Sequence, residues 1–320
     1  MRLLDGPLWY LRLPRRVARE LRSFDPDAVI AQGAQETALA LLARRLARSH
    51  VKVVLDVHGD WKAPTRLYGS RARRLLDPFS DALARRALRR ADGVRTISEY
   101  TTELVRAAGI EPAAEFPAFM DLSPFTAEPV ALLPESPRAL FIGVLERYKA
   151  FDVLVEAWRR VAAELPGATL HVVGQGTLAP LADELVEEYP GRVQRSPSLS
   201  AAEVASALDA ATLLVLPSRS EGMGRVVIEA GCRARAVVGS RVGGIPDVVV
   251  DGETGVLIPP GDAGALADVL VRVLRERGLA ERLGAEGRKR VEPWLATPEE
   301  YARRVRMLVD GVVGSAAEPT

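Results

Sequence analysis

The sequence has 320 residues, 48% of them hydrophobic and 27% charged, which suffices for two cores of ordinary size and excludes an extended disordered chain. No apolar run reaches the ~20 residues that span a bilayer, so no membrane-spanning helix is expected. The net charge of +1 hides a division: residues 1–115 carry 21 Lys+Arg against 14 Asp+Glu, the remainder 22 against 28.

In chain order, the opening MRLLDGPLWYLRLPRR places its arginines after the apolar residues and offers no small-residue cleavage site, unlike a signal peptide. DAVIAQ (27–32), VKVVLDV (51–57) and GVRTIS (93–98) read as buried parallel strands. Between them, 37–48 and the stretch from Arg71 to Arg90 have apolar residues at helical spacing. The segment 117–137 carries five prolines and little periodicity, and reads as a linker. Beyond it the rhythm resumes: RALFIGVL, ATLHVVG, ATLLVLP and AVVGS as strands, each followed by a helix. Such alternation predicts an α/β protein of two parallel sheets, one Rossmann-like domain over 1–125 and a second over 126–320. The helix near 298–312 is expected to return towards the first domain, and the tail GSAAEPT to be frayed.

Ligands of doubly wound sheets bind beyond the carboxyl ends of the strands, so the loops there carry the search. After ALFIGV comes LERYKAFD, with Gly143, Arg147 and Lys149 ahead of a helix. After TLHVVG comes QGTL, where Gly174 and Gly176 permit close backbone approach. After LLVLP comes SRSEGMGRVVIEA, where Gly222, Met223 and Gly224 run into a helix N-terminus. Glycine turns feeding helix N-termini, with a lysine nearby, describe a phosphate or diphosphate pocket. Glu221 and Glu229 frame the last turn, and carboxylates there can accept hydrogen bonds from sugar hydroxyls. The neighbours of Glu229 are apolar, so its carboxylate requires a partner or a ligand. In the first half, His58 stands at the carboxyl end of a strand, ahead of Gly59-Asp60-Trp61.

The stretch PSRSEGMGRVVIEAGCRARAVVGSRVGGIPDVVVDGETGVLIPPGD (217–262) resembles the donor-binding signature of family-4 glycosyltransferases. The likeness extends to FIGVLERYKAFDVLVEAW, HVVGQG, FDPDAVIAQG, LDVHGDW and RTISEYTTELV, from about residue 20 to residue 312. It implies the GT-B architecture and retaining transfer of a sugar from a UDP- or GDP-sugar to an acceptor hydroxyl, with no cofactor and no required metal. It implies that Glu221 meets sugar hydroxyls, Glu229 the ribose and Lys149 the diphosphate. His58 would approach the donor sugar, and Glu221, Lys149 and His58 would form the catalytic set. Gly143, Arg147, Gly174, Gly176, Gly222, Met223 and Gly224 would complete the donor cradle.

Four departures from the family pattern stand out. Val144 replaces an arginine, a role Arg147 is a candidate to fill. Ala234 and Ala236 stand for glycine and proline, and Pro117-Ala118-Phe119 for Pro-Asn-Gly. The family's opening strand and glycine-rich loop have no counterpart, so a shortened first domain is expected. The alternative reading is a non-catalytic nucleotide-sugar-binding or scaffolding protein.

One cysteine, Cys232, and three histidines fit a reducing cytoplasm and argue against a zinc site. The arginines at 85, 86, 89 and 90 form either a solvated helix face or a peripheral contact with the inner face of a membrane. At 5% the aromatics are too sparse for a base-stacking platform, so no nucleic-acid partner is expected.

Overall fold

The computed structural model describes residues 5–62 and 77–314. The expected helix over 71–90 is seen from Asp77 onward, and residues 71–76 lie outside the described residues, as do 315–320 of the tail. The chain divides into two compact units, 1–119 with 297–320, and 120–296. Among the described residues no helix is long and apolar enough to cross a membrane.

The first unit opens with helix α1 (Asp5–Phe24), then β1 (Ala28–Gln32), α2 (Ala34–Ala47) and β2 (Lys52–Val57). It continues through α3 (Asp77–Arg90), β3 (Gly93–Thr96), α4 (Glu99–Ala107) and β4 (Ala114–Glu115). The strands pair in parallel in the order β1-β2-β3-β4. β2 is buried along nearly its whole length, which its run of Val and Leu demands of a strand covered on both faces. α4 starts where Ser98 accepts from the N–H of Thr101 and the Thr101 hydroxyl returns a contact to the N–H of Ser98, a reciprocal cap. The last helix, Pro298–Gly314, closes this unit by packing Leu308 and Val312 on Val54 and Phe116.

The second unit runs through α5 (Ser123–Thr126), β5 (Arg138–Ile142), α6 (Phe151–Glu164), β6 (Thr169–Val173), α7 (Ala179–Glu188) and β7 (Val193–Ser196). It continues with α8 (Ala201–Asp209), β8 (Leu213–Leu216), α9 (Arg225–Cys232), β9 (Ala236–Ser240), α10 (Ile245–Val248), β10 (Val256–Ile258), α11 (Ala263–Arg275) and α12 (Arg277–Arg290). Its six parallel strands lie in the order β10-β9-β8-β5-β6-β7. The chain builds outward from β5 in one direction, then returns to β8 on its other side and builds the opposite way. β5 and β8 therefore flank the topological switch point, where the connections diverge and leave a crevice beyond the strand ends. α6 and α11 bury their apolar stripes, including Leu154, Trp158, Leu266 and Leu270, in the core on one side of this sheet.

The crossing between units falls at Phe119–Met120, ahead of the boundary expected at 125–126. Met120 and Leu122, ahead of that boundary, are already buried, and arginines of the second unit bind the carbonyls that follow. Phe125 is buried, and its carbonyl accepts from Arg233, which also binds the carbonyls of Glu128 and Pro129, both at 2.8 Å. Arg235 reaches the carbonyl of Ala131 at 2.6 Å, and Arg277 those of Leu133 and Pro134. The proline-rich segment is thus bound to the second unit from Phe125 onward.

Candidate functional site

In the second unit, the loops after β5 and β8 meet at the switch point. The 3-10 turn Arg147–Lys149 precedes α6 and is fixed from below by Arg219. Arg219 grips Asp152 with two bonds of 2.7 and 2.8 Å and donates to the carbonyl of Arg147, while its own N–H binds that of Tyr148. The guanidinium holds the Asp152 carboxyl below its usual range, and Asp152 raises Arg219 in turn. Lys149 passes over Gly143, where an added Cβ would touch its stem at 3.7 Å. Its ammonium forms an ion pair with Oε1 of Glu221. The same oxygen accepts from the Ser218 hydroxyl at 2.8 Å. The structure therefore brings together Lys149 and Glu221, which lie 72 positions apart in the chain.

Glu221 is held from behind by a second turn. Gly243 has φ +54, and a Cβ there would stand 1.8 Å from the Glu221 carbonyl oxygen. Only glycine lets the GGIPD turn lie flat on the Glu221 backbone. Gly222, Met223 and Gly224 then lead into α9, with Gly224 at φ +74. The N–H groups of Met223 and Gly224 have no protein acceptor among the described residues, so two free donors lie just ahead of a helix N-terminus.

Glu229 sits one turn inside α9 and is buried, and its carboxylate accepts from Arg225 at 2.7 Å. Arg225 is the partner that the apolar context of Glu229 requires. Burial pushes the Glu229 carboxyl up, and Arg225 draws it back part of the way. Cys232, one turn on, is pushed up to about 11 by burial and the neighbouring Glu229 charge, which leaves an inert thiol.

The other expected residues are placed as follows. Arg147 is exposed, and so is Val144. Gly174 and Gly176 do permit a close approach, but to the neighbouring loop: Cβ atoms there would stand 2.0 Å from the Gly143 oxygen and 2.5 Å from the Leu145 oxygen. Their role in this structure is to let the two loops interlock, sealed by Leu145 N–H to the Gln175 carbonyl at 2.7 Å.

In the first unit, His58 follows β2 and borders a cavity of about 640 Å³ beyond the ends of β1 and β2. Leu39, Leu55, Leu83 and Trp61 supply its apolar wall, and Gln32, Glu36 and Asp60 its polar groups. His58 Nε2 lies 2.8 Å from Asp56, and Nδ1 lies 3.0 Å from the Gln32 amide nitrogen. Asp56 binds Arg95 through both oxygens at 2.8 Å. No local pattern in the sequence singles out Ser218, Arg219, Gly243, Gln32, Asp56 or Arg95. GGIPD was visible as a motif, but only the fold shows what Gly243 supports.

Two units of Rossmann type, the second with Lys149, Glu221 and a glycine turn gathered at its switch point, define the architecture of a two-domain glycosyltransferase. The family described as "Glycosyl transferases group 1" matches residues 136–276, and the "Glycosyl transferase 4-like domain" matches residues 2–115. The chain belongs to the family-4 type of glycosyltransferases, with the GT-B fold. It is 33% identical over 201 residues to a D-inositol 3-phosphate glycosyltransferase of Mycolicibacterium smegmatis, covering 59% of this chain and 45% of that protein. It thus spans about half the length of such curated relatives. A sucrose-phosphate synthase from Thermosynechococcus elongatus superposes with a TM-score of 0.80 at 24% identity, over 96% of this chain and 79% of that one. The Anabaena protein HepE, solved in complex with UDP-glucose, gives 0.74 at 17% identity, over 97% and 84%.

Proposed function

We propose that the chain binds a UDP- or GDP-sugar on its second unit and transfers the sugar, with retention of configuration, to an acceptor hydroxyl in the cytoplasm. The observation that carries this is the Lys149–Glu221 pair at the β5/β8 switch point, beside the open N–H groups of Met223 and Gly224. Lys149 is a cation for the diphosphate, and Arg147, exposed on the same turn, a second. Glu221 is the acceptor for sugar hydroxyls, and Glu229 the acceptor for the ribose. The complex of HepE with UDP-glucose, a protein of the same fold, supports the donor class.

In the reaction the anomeric carbon parts from a phosphate oxygen, and negative charge gathers on the departing diphosphate. Lys149 and the α9 N-terminus stabilise that charge by fixed dipoles and a fixed cation, so that no metal or cofactor is needed for it. Both carboxylates of the loop are engaged, Glu221 with Lys149 and Ser218 and Glu229 with Arg225. This favours attack by the acceptor hydroxyl on the face the diphosphate leaves, with a phosphate oxygen taking the proton. A covalent sugar–enzyme intermediate has no part in this scheme.

Titration calorimetry with UDP and with GDP tests the reading. Lys149→Ala removes a charge-assisted contact of roughly 1.5–3 kcal/mol, so affinity should fall about tenfold to a hundredfold. Unchanged affinity in a folded variant contradicts the role of Lys149.

A further inference from the structure

The residues that hold His58 reach the two points where the chain leaves and re-enters the first unit. Arg95 is 2% exposed. Its Nη1 binds both oxygens of Asp56, and its Nη2 donates to the carbonyls of Phe116 at 3.0 Å and Pro117 at 2.9 Å. The guanidinium stands 4.1 Å from the centre of the Phe116 ring and 5.5 Å from that of Tyr301. Residues 116–119 form the outgoing crossing, and Tyr301 lies near the start of the returning helix, its ring 5.7 Å from that of Phe119. One buried side chain therefore binds both crossings on one side and, through one carboxylate, a single imidazole on the other.

The arrangement has a cost. Arg95 Nε finds no partner, and burying a paired charge gains little over an apolar side chain of similar size. What the pair does supply is direction. A carboxylate only accepts, so the His58 nitrogen facing Asp56 must carry the proton. Nδ1 is then the lone-pair nitrogen, and the Gln32 amide fills its acceptor position beside the cavity.

We propose that Arg95 is a positioning residue: by fixing Asp56 it holds His58 as the Nε2–H tautomer, presenting Nδ1 as an acceptor to a substrate hydroxyl that displaces the Gln32 amide. Because the same guanidinium binds residues 116–117, the segment that joins the units is tied to the orientation of His58. The identity of the hydroxyl, on a substrate of sugar transfer, rests on the reading under Proposed function. The tautomer does not.

Long-range proton–nitrogen correlation spectra of the imidazoles provide the test. The chain has three histidines, and loss of one signal in His58→Gln identifies the one required. The expected result is a single Nε2–H tautomer in the unaltered chain. In Asp56→Asn the one amide oxygen stays with Arg95 and the NH2 group turns to His58, which should invert the tautomer. Arg95→Lys keeps the charge but cannot bind a carboxylate and two carbonyls together, and should give a mixture. Both variants should lose kcat, Asp56→Asn on the order of a hundredfold, with UDP affinity unchanged. An Nδ1–H or mixed signal in the unaltered chain overturns the proposal, as does an unchanged tautomer in both folded variants. Absence of UDP binding or turnover in the unaltered chain would instead count against the glycosyltransferase reading and leave the spectral result intact.

Discussion

Arg233→Met should destabilise the second unit by about 2–3 kcal/mol, because it removes a buried guanidinium from the charged and carbonyl acceptors gathered around it. Arg233 is 1% exposed and binds Asp209 through two bonds of 2.8 and 2.6 Å. It also satisfies the carbonyls of Glu128 and Pro129. Methionine fills the space but removes the donor from the carbonyls of Phe125, Glu128 and Pro129 and leaves Asp209 only its long contact with Arg235. For a unit of this size the loss corresponds to a fall in Tm on the order of 10 °C. Arg235→Met should cost less than half as much. Arg235 satisfies the Ala131 carbonyl, touches Asp209 only at 3.4 Å, and has its pKa lowered by burial and by the repulsion of Arg233. Calorimetric unfolding of both variants checks the order. Equal losses would show that the two arginines act as one cluster rather than Arg233 acting as the anchor.

The second large effect separates the two glutamates of the proposed donor site. Glu221→Gln should lower kcat on the order of a hundredfold, since the carboxylate proposed to meet the sugar hydroxyls would gain strength in the transition state. UDP binding should be unchanged or tighter, because Lys149 is released from its present partner. Glu229→Gln should instead weaken both donor and UDP by roughly 1–3 kcal/mol. The two also differ in stability. Burial raises the folded pKa of Glu229, so its contribution to stability is whole below the ordinary carboxylate range and is lost as pH rises through the raised value. Glutamine does not titrate, and Glu229→Gln should therefore gain on the unaltered chain in Tm as the buffer is raised from the ordinary carboxylate range through the raised value. A Tm difference that shrinks with rising pH would contradict this account of Glu229, and equal loss of UDP binding in both variants would remove the division of labour.

The parts legible in the sequence are those that depend on local pattern. Runs such as VVLDV and LLVL must be buried strands, and the glycine-bearing turns after β5 and β8 stand out against them. The parts that were not legible depend on contacts between distant residues. β7 is short and mostly polar, β10 is only three residues long, and the apolar face of α1 is defined by its packing on α2. Nothing local marks Arg233 and Arg235, whose partners are carbonyls about a hundred residues earlier. The partner of Glu229 was within reach: Arg225 is four residues before it, one helical turn away. Arg95 read simply as one residue of a strand, and nothing local marks it as the holder of residues 116 and 117.

The claim on which the rest depends is that the β5/β8 switch point of the second unit is the donor site. A crystal structure of the chain grown with UDP, and a second with UDP-glucose, tests it most directly. The account predicts the diphosphate within hydrogen-bonding distance of the Lys149 ammonium and the N–H groups of Met223 and Gly224, the ribose on Glu229, and in the second complex the sugar hydroxyls on Glu221 in place of Lys149. A nucleotide bound elsewhere, with the Lys149–Glu221 pair intact, would contradict it.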